Sequence, residues 1–125
     1  MANLYVAIYR PHGGNVHHWA LWLEGSGWSR LFEATGDPGR YQVSEKVDIQ
    51  PAASSRHKSN IFIQQIDDYN GFIANARSCA APKNSAAWDC QEYVMGVLEA
   101  ANLDEIIKDY EYEQIKAYPQ SIYNA

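Results

Sequence analysis

The segment HHWALWL at residues 17–23 constrains the fold most. Side chains on a strand alternate, so His18, Ala20 and Trp22 share one face and Trp19, Leu21 and Leu23 the other. Gly25, Ser26 and Gly27 then turn the chain, and residues 28–35 supply another strand. This pattern predicts a hairpin with a short loop. Residues 4–9 alternate aliphatic and aromatic side chains and predict a first strand, broken by Pro11, Gly13 and Gly14. After a second break at Gly36, Asp37, Pro38 and Gly39, residues 41–47 alternate moderately and residues 61–66 return to strand composition. The polar stretch 50–60, with Pro51 and several Ser, predicts a surface loop between them.

Helical spacing appears in the second half. Tyr69, Phe72, Ile73 and Ala76 recur on one face of residues 67–76, although Gly71 disfavours a helix there. Residues 80–85 contain Pro82 and predict a loop. Asp89-Cys90-Gln91-Glu92 has the form of a capping box, with Asp89 as N-cap and Glu92 as the third helical residue. The stripe of that helix is Tyr93, Val94, Val97, Leu98 and Ala101, and Gly96 trades helix propensity for close packing. A second capping box at residues 102–105 predicts a further helix through Ile106, Ile107 and Tyr110. The Tyr-rich tail after Ile115 reads as a docked or frayed terminus.

A chain of 125 residues and 14.1 kDa fits a single domain, residues 1–125, with no repeat or linker to divide it. Apolar residues at 46% supply a core, and its size suits one sheet covered by a few helices. The expected fold class is α+β, an antiparallel sheet packed against helices. Ten basic residues against fifteen acidic ones leave a formal charge of −5 with no basic run. That balance argues against a nucleic-acid partner, so an anionic ligand needs one local site rather than bulk charge. No apolar run approaches the roughly 20 residues that cross a bilayer. The N-terminal apolar stretch ends at Arg10 and Pro11, which suits a strand better than a signal sequence. With Cys79 and Cys90 as the only cysteines, no disulfide framework organises the fold, although one bridge between them stays open. A reduced, cytoplasmic setting is the expectation.

Cys90 is the first candidate for chemistry. At a helix start its sulfur would meet unsatisfied N–H groups and the positive end of the dipole, a setting that favours thiolate chemistry. The plainer role is a small apolar residue filling space. His18 is the candidate base, desolvated by Ala20 and Trp22 and therefore expected to be neutral near pH 7. A satisfied core histidine is its plainer role. His17 points to the opposite face, His12 sits among glycines, and His57 lies in the polar stretch where solvation is expected. Metal-binding spacings such as CxxC or HExxH are missing, as are phosphate-binding glycine motifs, so no metal and no cofactor are expected. Trp19, Trp22 and Trp28 lack the basic interleaving of a stacking platform and read as core or pocket wall.

Taken together, HWALWLEG with LFEATGDPG resembles the histidine hairpin of the circularly permuted NlpC/P60 (papain-like) enzymes, including the lecithin retinol acyltransferase-like group. WDCQEYVMGVLEAANL resembles their cysteine helix, and the order, histidine early and cysteine late, is theirs. The plan of HWAL, TGDP and a late cysteine is also similar to that of small soluble fungal proteins of unassigned role. The resemblance implies a permuted NlpC/P60 core, with Cys90 as nucleophile and His18 as base. The third residue of the acyltransferase group is a histidine, and here Glu33 stands at the matching place. Glu33 is expected to accept the distal imidazole N–H, provided that it shares a face with His18. A salt bridge to a surface Arg is its plainer role.

The implied activity is a cysteine-dependent hydrolase or acyltransferase acting on an ester, thioester or amide carbonyl. Its oxyanion would be held by the Cys90 N–H and one further donor, with Gln91 disfavoured because its side chain projects away. His17 or Trp19 would border the cleft. No membrane anchor like that of the acyltransferases follows Ile115, so the expected partner is a small molecule or peptide. Two alternatives stay open: a non-catalytic binding or dimerisation protein of the same fold, possible as a homodimer, and a small-molecule biosynthetic cyclase using the same pocket.

Overall fold

Both faces of the HWALWL strand are covered, which sets the architecture around it. The computed structural model describes residues 1–11, 17–36, 41–79 and 89–117. Strands β1 (Ala2–Tyr9), β2 (His18–Gly25), β3 (Trp28–Thr35), β4 (Gln42–Val47) and β5 (His57–Ile66) form one antiparallel sheet in the order β4-β3-β2-β1-β5. Helices α1 (Tyr69–Ser78), α2 (Cys90–Leu103) and α3 (Asp109–Ala117) follow. The protein is therefore a mixed α+β domain, a five-stranded antiparallel sheet packed against three helices.

Alternation separates the two faces. Leu4, Val6, Ile8, Trp19, Leu21, Leu23, Phe32 and Ala34 form the helix-side core with Phe72, Tyr93, Val94, Val97 and Leu98. On the opposite face Ala7, Ala20, Trp22 and Leu31 pack with Tyr5 and Tyr9. The segment after β4 folds over that second face. Trp22 Nε1 donates to the Ile49 carbonyl at 3.0 Å, and Pro51, in a short 3-10 turn, is buried. This cover gives the buried indole N–H its acceptor.

The β2–β3 hairpin closes as expected, with Gly25 paired to Trp28 across a two-residue turn. Gly27 there has φ 77, the left-handed region that glycine enters without penalty. Two expectations are corrected. Residues 57–60 are not loop but the start of β5, where Tyr9 pairs with His57 and Ala7 with Asn60. Main-chain pairing with β1 recruits them despite their polar side chains. The helix expected from residues 102–105 is also absent as drawn, because Asn102 lies in the last turn of α2. The chain leaves α2 with Glu105 at φ 61, and Ile106 N–H donates back to the Ala101 carbonyl at 2.8 Å. Ile107 is buried in that turn, and Asn102 Nδ2 donates instead to the Ile107 carbonyl and to Asp109 Oδ1 at the start of α3.

Cys79 and Cys90 are both free thiols. Among the described residues no helix is long and apolar enough to cross a membrane. The expectations for His12, for the turn at 37–39, for the loop at 80–85 and for the tail beyond 117 lie outside the described residues.

Candidate active site

The β2–β3 register decides whether Glu33 can reach His18. The paired part of the ladder ends with Leu21 opposite Phe32, so Glu33 follows the last pair and its side chain points to the face opposite that of Phe32. His18, on β2, lies on that same face. The side chains meet there: His18 Nε2 is 3.5 Å from Glu33 Oε1. From β4, Lys46 Nζ comes within 3.8 Å of the same oxygen. Burial works to raise the Glu33 pKa, but the adjoining His18 imidazole, and then Lys46, outweigh it and hold the carboxyl below its usual range.

His18 responds in the opposite sense. Burial works to lower its pKa, yet the neighbouring Cys90 thiol and the Glu33 carboxylate favour the protonated ring and push it up to about 9. The expectation of a neutral imidazole at neutral pH is thereby reversed. Burial does desolvate the ring, but the Cys90 thiol and the Glu33 carboxylate decide the outcome. Tyr9, the direct cross-strand partner of His18, packs its ring centroid 5.6 Å from the imidazole. Burial first, and then the Glu33 charge, push the Tyr9 phenol up to about 12.

Cys90 reaches this corner from the first position of α2. Asp89 caps the helix, its Oδ1 accepting from Gln91 N and Glu92 N at 3.0 Å each. The cap thus uses the second and third helical amides and not that of Cys90. Cys90 is buried, and its Sγ lies 3.9 Å from the His17 carbonyl. Gln91 Nε2 donates to that carbonyl at 3.0 Å, so the buried Gln91 amide ties α2 to the entry of β2.

One open cleft of about 830 Å³ joins these groups, lined by His18, Glu33 and Cys90 together with Tyr9, Lys46 and Asp89. Arg10 and Arg56 stand at its wall, and the Ile49–Pro51 segment closes another side. Neither His17 nor Trp19 borders it, contrary to expectation. Trp19 is in the helix-side core, and His17 is buried, its imidazole pKa lowered by burial first and then by Lys58 and Arg10. His57, expected to be solvated, belongs to β5, with Nε2 2.8 Å from Asn60 Oδ1 and its ring edge-on to Tyr9 at 5.8 Å. Tyr9, Lys46, Arg10 and Arg56 were not singled out from sequence. Tyr9 is found only through its pairing with His18, and Arg56 lies in a stretch that reads as loop. Among the described residues no group of three or more His, Cys, Asp or Glu side chains could hold a metal ion.

Chemically, the cleft presents a thiol, an imidazole and a carboxylate to one volume in an α+β domain. Residues 4–108 match a family of unknown function, DUF6540, and the chain belongs to it. No curated protein and no solved structure matches it.

Proposed function

We propose that the protein is a cysteine-dependent hydrolase or acyltransferase built on a permuted NlpC/P60-like core, with Cys90 as nucleophile, His18 as acid and base, and Glu33 orienting the imidazole. The observation that carries the reading is His18 meeting Glu33 at 3.5 Å in a cleft that Cys90 also lines. The early histidine strand, the late cysteine helix and the antiparallel sheet between them support the permuted arrangement.

In this reading the Cys90 thiolate attacks the carbonyl carbon of an ester, thioester or amide. A C–S bond forms and the carbonyl electron pair moves to oxygen, facing the Cys90 N–H that the Asp89 cap leaves unused. The intermediate collapses, the bond to the leaving group breaks, and the His18 imidazolium protonates that group. His18, now neutral, takes a proton from water or an acceptor alcohol or amine as it attacks the acyl carbon. Cys90 leaves as thiolate and the imidazolium is restored. The raised His18 pKa makes it a proton donor at the outset, and Glu33 holds it in that state.

The second reading, a non-catalytic binding pocket, draws on the burial of Cys90 and its contact with the His17 carbonyl. One experiment separates the two: iodoacetamide alkylation located on Cys90 by peptide mass, in wild type and His18→Ala. The catalytic reading expects rapid labelling at about pH 6 that slows by ~10-fold or more without His18. Slow labelling that ignores His18 overturns it.

A further inference from the structure

One oxygen of Glu33 serves two basic groups. Oε1 lies 3.5 Å from His18 Nε2 and 3.8 Å from Lys46 Nζ. The sheet arranges this sharing. Across the β3–β4 ladder Leu31 pairs with Lys46 and Glu33 with Ser44, so Lys46 is the diagonal neighbour of the carboxylate on one face. Lys46 stands on the edge strand β4 with its side chain 52% exposed, yet it brings its ammonium to a largely buried acid. The mechanism above needs His18 in two states: imidazolium as the leaving group departs, and neutral as water or an acceptor is deprotonated. A carboxylate devoted to His18 alone favours only the first. A base that holds its proton too firmly works poorly near neutral pH.

Resting on the acyl-enzyme reading above, we propose that Lys46 is a positioning residue: by sharing Glu33 it loosens the hold of that carboxylate on the imidazolium and lets His18 serve as base in deacylation. In that step water attacks the acyl carbon and passes its proton to His18, the C–S bond breaks, and Cys90 leaves as thiolate. The other titratable or charged groups of the cleft stand differently. Tyr9 packs its ring on the imidazole, and its phenol, with a pKa of about 12, stays neutral. Asp89 is held by the amides of α2, and Cys90 is the nucleophile itself. Arg10, Arg56 and Tyr41 also line the volume, but among the described residues Lys46 is the cation in ion-pair reach of Glu33 besides His18.

The test joins an NMR titration of the His18 ring to turnover of p-nitrophenyl acetate in wild type, Lys46→Met and Lys46→Arg. Without the ammonium the His18 pKa should rise by about half a unit, the scale of one unit charge removed from a half-exposed site one carboxylate away. The neutral imidazole present at pH 7 then falls about threefold, and steady-state nitrophenol release falls with it. The initial burst, which draws on the imidazolium, should keep its rate, so intact mass should show more acetyl on Cys90. Lys46→Arg keeps the charge and should return both readouts to wild-type values. A His18 titration that ignores Lys46→Met, or that rises equally in Lys46→Arg, overturns the proposal while leaving the thiol reading intact. Burst and steady state slowed equally in Lys46→Met also overturn it, since Lys46 would then not act on deacylation. If the ester leaves no adduct on wild-type Cys90, the acyl-enzyme reading itself falls and takes the deacylation role with it.

Discussion

His18 Nε2 and Glu33 Oε1 meet at 3.5 Å just beyond the paired part of the β2–β3 ladder, whose last pair is Leu21 with Phe32. From this contact come the charge state of the imidazole and its pH dependence.

Glu33→Gln should lower the His18 pKa from about 9 toward the ordinary histidine range, read by NMR titration of the ring. Because the folded value lies above the unfolded one, the associated stability is fully present below pH ~6.5 and is lost as pH rises through about 9. Wild type should therefore lose on the order of 2 kcal/mol across that window, and Glu33→Gln much less. Glu33 itself is lowered, so its own contribution is lost in acid instead. Parallel alkaline limbs in the two proteins would contradict the pairing.

Asp89→Ala should destabilise the protein by about 1 kcal/mol through loss of the cap on α2. Because the cap sets the helix start, Cys90 alkylation should change with it, whereas Asp89→Asn should retain most of the stability. Thermal unfolding and peptide mass measure the two effects. An Asp89→Ala protein as stable as wild type would show that the cap contributes nothing.

At Gly96 two effects compete. An added Cβ gains up to ~1 kcal/mol of helix propensity. It would also stand 3.2 Å from Cys79 Sγ, tighter than ordinary van der Waals contact. Gly96→Ala should consequently stabilise the protein more in a Cys79→Ala background than in wild type. Equal shifts in the two backgrounds would mean that α1 and α2 do not press together there.

Gln91→Leu should cost roughly 1–3 kcal/mol, since it removes the 3.0 Å bond to a buried carbonyl of His17. Hydrogen exchange at the entry of β2 should quicken with it. Exchange unchanged at that corner would mean that other contacts hold α2 to the strand.

The elements legible in the sequence were those whose signal is local. The two faces of β2, the Gly25–Trp28 turn and the Asp89 cap each follow from a few adjacent residues. Residues 57–60 were not legible, because pairing with β1 recruits a polar segment that carries no strand signal of its own. Asn102 had the composition of a cap, but burial of Ile107 and the tight turn at Glu105 place it at the end of α2 instead. In the site, Cys90, His18 and Glu33 could be singled out, while Tyr9 and the Arg pair could not.

By itself, the chain's alternation and helical periodicity determined an antiparallel sheet packed against helices, and a cysteine at a helix start. Those patterns have periods of two and 3.6 residues and need no distant partner. Only the tertiary structure decided which segment covers the second face, which side chains flank His18, and that its pKa is raised rather than lowered. These depend on strand register and on the balance of burial against neighbouring charge, which arise from residues tens of positions apart.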